Sequence, residues 1–517
     1  MNRFPKNTEI NDNDTDDSIV QSDIFGHRFK SDQSIDEYLL EFLQVVISEK
    51  KLYIGGEDDR ITKEFFPLVD KDKLEKIEIF PDSKIDLKRF VFYMNTKDES
   101  RSKIDDDAYY EMMNFIKDKI ETSSDYSKKE VVNFIEKLLC GFSGVTKNRS
   151  WYAQSFLPIC KSMILPETMI DRKKRRKLDK DFEINRIDFD YGKVDKECET
   201  NRYNFMARGG EVYYLHVLRG LIKNPKYREE LTYLLDKQLS EYKQIETLSD
   251  TIHNIWVNGI KEKYEDITLD KKITKKLGFI PIEFGNREDY TVFEITNFLR
   301  SDMHPFEKIE ILSKGIVFQI INLMHSEARY YIGKNTRQAW VVDMTYNFTK
   351  NKELKKIAAK SYDMLEDDMT NAISNRIYNL EKCNNETKDK KFKYAIDDSY
   401  KLCRKLAKEI GVLVPLKGSG MRFTLQENIL KFLVVSIIKP GEKLTLTTFI
   451  EKLYEHFGII IGRNEYKKAM EKLIVEPIND FSCFDENEKA LSEMLKRCNF
   501  LRDLSDATSI VENPYLN

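Results

Sequence analysis

The stretch Pro305–Tyr331 constrains the fold more than any other part of the chain. Ile309, Ile311, Leu312, Ile316, Val317, Phe318, Ile320, Ile321, Leu323 and Met324 leave it almost no polar face. A helix that is apolar nearly all round has to be buried on all sides, so other helices must surround it. Pro305 suits its first turn, where the missing N–H costs nothing and φ is already helical. The run is no membrane span, since that takes roughly 18 unbroken apolar residues and Gln319 interrupts the longest candidate, 315–324. The expectation is a mainly α fold with this helix at the centre of a multi-helical core. A chain of 517 residues that is 41% hydrophobic, with 20 Gly and 12 Pro, can bury such a core and is neither collagen-like nor wholly disordered.

Around that helix the chain divides by composition. Residues 1–32 combine Asn, Asp and Ser with little apolar period and read as a flexible acidic arm. Order is expected from Ser34, an N-cap with Glu37 three residues on, followed by Tyr38, Leu39, Phe42, Leu43, Val46 and Ile47 at helical spacing. Residues 33–170 form a mixed N-terminal domain, with a strand at 89–94 and helices at 109–120, 131–139 and 151–163. A charged connector at 171–201 precedes a central helical domain, 202–382. An exposed linker is expected at 383–393 and a winged-helix-like C-terminal part at 394–517.

Within 394–517, a helix at 395–410 leads into short strands at 411–415 and 421–425 around Lys417-Gly-Ser-Gly420, a hairpin that would act as a wing carrying Lys417 and Arg422. The logic repeats downstream, with helices at 427–438, Leu446–Phe457 and 464–473 before a second hairpin at 500–504 and 509–511. One reading places Arg463, Asn464, Tyr466, Lys467 and Lys468 in the major groove of double-stranded DNA. The other is a protein-docking or dimerising winged helix whose lysines only solvate a helix face. Lys+Arg of 85 against Asp+Glu of 88 gives a net charge of −3, so any hold on a polyanion must be local.

Other candidate residues carry two readings each. Arg149 beside Trp151 offers a guanidinium and an indole for phosphate and unstacked bases, or a capped turn with Trp151 in the core. Arg208 before Gly209 and Gly210 suits an anion at a helix entrance, or marks close helix packing. It is not a Walker A loop, because no Gly-Lys-Ser/Thr follows. Asp343, Glu353 and Lys355 have the letters of a D…E-x-K metal nuclease, in which carboxylates hold Mg²⁺ and a lysine stabilises charge. In a chain that is 33% charged, E-x-K also arises by chance. The seven cysteines are dispersed, which fits the reducing cytoplasm, and the six histidines form no H-x-x-x-H pair. No cofactor and no resident metal is expected, and no membrane association.

Three patches, Gly26-His-Arg-Phe-Lys-Ser-Asp-Gln33 with Glu37-Tyr-Leu-Leu-Glu-Phe42, Arg149-Ser-Trp-Tyr-Ala-Gln154, and Ala207-Arg-Gly-Gly-Glu211, resemble those of uncharacterised subunits encoded in multi-gene prokaryotic antiphage defence systems. The resemblance implies a protein without its own motor, working beside an ATPase, helicase or nuclease from neighbouring genes. The resulting expectation is a non-catalytic scaffold or DNA-recognition subunit of such a complex. A metal-dependent nuclease and a winged-helix transcription regulator are the alternatives.

Overall fold

The computed structural model describes residues 3–6, 19–26, 29, 31, 33–82, 84–96, 102–122, 125–145, 150–168, 172–185, 209–263, 274–281, 287–334, 336–347, 351–379, 385–505 and 508–516. The expected mainly α architecture is present: helices dominate, and the strands form only small sheets. Helix Pro305–Tyr331 lies at the centre, packed on Ile19–Phe25, Ile35–Ile47, Gly209–Lys223, Lys352–Tyr378, Leu402–Glu409 and Glu427–Ile437. Nineteen of its 27 residues are buried, so its polar side chains must find partners inside the protein. Gln319 donates to Glu294 at 2.6 Å and Asn322 to the Phe457 carbonyl at 2.9 Å, while His325 and Arg329 both meet Asp368. No helix among the described residues is long and apolar enough to cross a membrane.

Helix Ile35–Ile47 begins as its capping box predicts: Ser34 and Glu37 bond each other's backbone. Helix Gly209–Lys223 crosses it so closely that a Cβ on Gly210 would stand 2.2 Å from the Tyr38 carbonyl oxygen, and one on Gly209 would stand 2.3 Å from the Tyr38 ring. The Gly209-Gly210 pair is therefore a packing device. The N–H of Gly210 already donates to the Glu41 carboxylate, which Lys275 balances at 3.2 Å. The protein's own carboxylate thus fills the anion position at this helix entrance. Glu49–Tyr53 pairs on one side with Arg60–Thr62 and on the other with Lys76–Phe80, which Lys275–Lys276 extends as an edge strand.

Several expectations are corrected. The strand expected at 89–94 is largely helix, Ile85–Phe92. All eight of its residues are buried, and a helix covered all round shows no amphipathic period, so its Phe and Val content misleads. The helix expected at 151–163 is two 3₁₀ turns around a short strand, Ser155–Phe156, with Pro158 in the run. Described parts of the arm are docked: Arg3–Phe4 pairs with Ile280–Pro281, and Ile19–Phe25 buries Val20, Ile24 and Phe25 while Asp23 meets Arg376 at 2.5 Å. Part of the connector is a helix, Arg172–Ile184, tied down by Arg175 on Asp105. The exposed linker is largely replaced by helix Asn385–Ile396, with Lys391 and Ala395 buried.

The expected C-terminal helices and terminal hairpin are present, with a further helix, Ser482–Arg497, between helix Arg463–Glu471 and the hairpin. Helix Glu427–Ile437, strand Lys443–Thr445 and helices Leu446–Phe457, Arg463–Glu471 and Ser482–Arg497 precede the hairpin Leu501–Ser505/Thr508–Glu512. The first strand lies beside the last, with Lys443 opposite Glu512 and Thr445 opposite Ile510. Ile459–Ile460 leaves this sheet and pairs in parallel with Trp340–Val341 of the central region. Asn487 secures the junction by donating to the carbonyls of Val342 and Ile461, each at 2.9 Å.

Candidate nucleic-acid interface

The first hairpin is the best-founded projection on the molecule. Helix Leu402–Glu409 ends at Gly411, whose φ of +81° lets the chain turn into Leu413–Val414. That strand pairs antiparallel with Arg422–Phe423, Leu413 opposite Phe423 and Val414 opposite Arg422. At the tip, Gly418 has a φ of +96° and a Cβ there would meet nothing within 4 Å, so the turn stands clear of the body. Lys417 is exposed beside it.

The base of the hairpin is locked by aromatic and charged contacts. Phe423 stacks on Trp340 with centroids 4.5 Å apart and meets Tyr362 edge-on at 5.6 Å. Arg422 donates from Nε to Asp343 Oδ2 at 2.6 Å, and Thr345 donates to Oδ1 at 2.6 Å. The backbone of the same segments is joined by Asp343 N–H to Phe423 O at 2.9 Å and Thr424 Oγ1 to Asp343 O at 3.0 Å. Behind Trp340, its Nε1–H donates to His325 Nδ1 at 2.9 Å, which leaves the ring proton on Nε2, 3.2 Å from Asp368. Burial holds the His325 imidazole below its usual pKa, in keeping with the neutral tautomer. Burial alone would raise the Asp368 carboxyl, but hydrogen bonds from His325 and Lys334 and the charge of Arg329 hold it well below the carboxylate range. The hairpin therefore stands on a hydrogen-bonded network that reaches the central helix.

On one flank of the hairpin, helix Leu402–Glu409 turns its apolar side, Leu402, Cys403, Leu406 and Ala407, into the core. The opposite face carries Lys401, Arg404, Lys405 and Lys408, spaced i, i+3, i+4 and i+7, so all four share one stripe. They line a cleft of about 700 Å³ with Glu409, Leu416 and Gln426, while Asp397 pairs with Lys401 and the Glu366 charge acts on Arg404. Lys405 donates to the Gln33 carbonyl at 2.9 Å and Lys408 to the Leu416 carbonyl at 3.0 Å. Carbonyls position an ammonium without neutralising it, so Lys405 and Lys408 keep a local positive field despite the balanced total charge. Among the described residues, Lys401 alone of the three lysines has a carboxylate partner in contact, Asp397.

The structure sorts the residues singled out in the sequence. Lys417 is at the exposed tip and belongs to this surface. Arg422 does not, because it is 5% exposed and paired with Asp343. Trp151 is fully buried, stacked edge-on to Tyr93 and Tyr152, and so is no base-stacking platform. Tyr466 is buried too, its hydroxyl on the Glu476 carbonyl at 2.8 Å. On the same helix, Arg463 pairs with Asp485 at 3.1 Å and Lys468 with Glu451 at 2.7 Å, Lys467 sits over the Phe481 ring, and Asn464 is exposed. Nearby carboxylates therefore largely offset the charge of that helix. Arg149 and Arg208 lie outside the described residues. The metal-nuclease constellation is corrected as well: Asp343 points inward with Arg422 where a cation would sit, while Glu353 and Lys355 are exposed on the first turn of helix Lys352–Tyr378. Among the described residues, no group of three or more His, Cys, Asp or Glu side chains could hold a metal ion.

Sequence reasoning missed the basic stripe. Its signal was present as K-x-x-R-K-x-x-K at 401–408, but in so charged a chain that pattern looks like any solvated helix face. Compared with known proteins, the chain matches no family model, no curated protein and no solved structure.

Proposed function

We propose that this chain is a non-catalytic nucleic-acid-recognition and scaffold subunit, acting in the cytoplasm as part of a multi-protein prokaryotic antiphage defence complex beside a separate ATPase, helicase or nuclease. The observation that carries the nucleic-acid part is the stripe of Lys401, Arg404, Lys405 and Lys408 along a 700 Å³ cleft at the foot of a rigid hairpin. Cations in one row suit a phosphate backbone, and such contacts fix register without reading sequence. The complex rests on the resemblance of the three sequence patches.

Anisotropy titration of the purified chain with labelled DNA tests the first part. Each phosphate neutralised contributes about −0.9 to the slope of log affinity against log salt, so engagement of all four cations of the stripe gives a slope of about −3.6. The K405E/K408E variant is expected to bind at least about tenfold more weakly with a shallower slope. Salt-independent binding, or an unaffected variant, would remove the stripe from the interface. A tagged pull-down that recovers an ATPase or nuclease after nuclease treatment supports the complex, and recovery of the chain alone counts against it.

A further inference from the structure

The other flank of the hairpin is also basic, and it belongs to a different element. Helix Lys352–Tyr378 starts behind the cap of Asn351, whose side chain accepts from the N–H groups of Glu353 and Leu354. Its first turn exposes Lys352 and Lys355, neither with an ion-pair partner among the described residues. A lysine there opposes the helix dipole at a cost of about 0.3–1 kcal/mol, so local helix preference does not account for it. Lys355 lies against the hairpin: its Cε is 3.9 Å from where a Cβ on Gly420 would be. The tip with Lys417 is thus bracketed by Lys352 and Lys355 on one side and by Lys401, Arg404, Lys405 and Lys408 on the other. No aromatic side chain among the described residues lines the cleft, and proteins that hold single strands depend on aromatic platforms for their bases.

We propose that the 413–423 hairpin enters the major groove of B-form duplex DNA, with Lys401, Lys405 and Lys408 holding one phosphate strand and Lys352 and Lys355 the other. This rests on the nucleic-acid reading above and adds the form of the ligand. A two-stranded ribbon fits the major groove, about 12 Å wide, and not the minor groove, about 6 Å wide. A-form RNA presents a deep, narrow major groove that excludes it. The tip offers Lys417, Ser419 and two glycines and no planar side chain able to bond a base edge at two points, so recognition is of duplex shape and charge.

The full-length chain is titrated with a 20-base-pair DNA duplex, one of its strands alone, and the RNA duplex of the same sequence. DNA duplex is expected to bind at least about tenfold tighter than either competitor. K352E/K355E and K405E/K408E are each expected to lose about tenfold or more in duplex affinity and to lower the salt slope by about two, K352E/K355E at unchanged thermal stability. Equal binding of the single strand or the RNA duplex would overturn the groove assignment. So would full affinity in K352E/K355E, even if K405E/K408E is weakened, and in that case the general nucleic-acid reading survives. Absence of salt-dependent binding to all three would sink both.

Discussion

Asp343→Ala is expected to lower the free energy of unfolding by about 3–5 kcal/mol, the usual cost of leaving one member of a buried ion pair alone. The carboxylate is wholly buried, and Arg422 opposite it is nearly so. Once Asp343 is gone, the guanidinium keeps, among the described residues, the Gly420 carbonyl at 3.3 Å and the Tyr346 ring at 5.0 Å. Thr345 loses its acceptor as well. Urea denaturation followed by circular dichroism reads the loss directly. The double variant D343A/R422M should recover much of it, because no charge is then buried without a partner. Wild-type stability in the single variant would show that the pair does not anchor the hairpin. A loss of stability is also the opposite of what a metal-ligand aspartate predicts, namely an intact fold with a lost reaction.

The second large effect concerns Glu327. It lies on the central helix, 2% exposed, and neither carboxylate oxygen has a hydrogen-bond partner among the described residues. Burial pushes its pKa well above the ordinary value of 4.5. The folded chain therefore keeps a proton that the unfolded chain releases near pH 4.5. Stability is complete below that pH and falls by about 1.4 kcal/mol per unit as pH rises toward the raised folded value. Glu327→Met removes the titrating group at similar volume and should stabilise the protein at neutral pH by about 1–3 kcal/mol, the cost of a buried polar group without partners. Unfolding midpoints at pH 5 and pH 7.5 provide the check: the wild type should lose stability between them, and the variant should lose distinctly less. Identical pH profiles, or a less stable variant, would place a partner on Glu327 and refute the reading.

Much of the architecture was legible where a local signal and its tertiary consequence coincide. Pro305 with ten apolar residues behind it marks the central helix to the residue, and Ser34 with Glu37 marks the start of Ile35–Ile47. The terminal hairpin was visible because alternating short segments meet at a polar turn. The misplaced arm and connector share one cause, which is that the deciding partner lies far away in the chain. Arg3–Phe4 is ordered by Ile280–Pro281, Ile19–Phe25 by the end of Lys352–Tyr378, and Arg172–Ile184 by Asp105. The site failed differently. Asp343 and Glu353 carried the letters of a metal site, but letters do not reveal that Arg422 already faces the carboxylate. The four cations on 401–408 became a surface only once the hairpin closed a cleft over them.

The parallel pairing of Trp340–Val341 with Ile459–Ile460 also bears on how the protein is made. A ribosome works from the N-terminus at about 5–20 residues per second, so Trp340 leaves it well before the strand that covers it exists. Throughout that interval the nascent chain carries an open β edge beside a large indole and the apolar central helix. That edge stays open until the last quarter of the protein has been made.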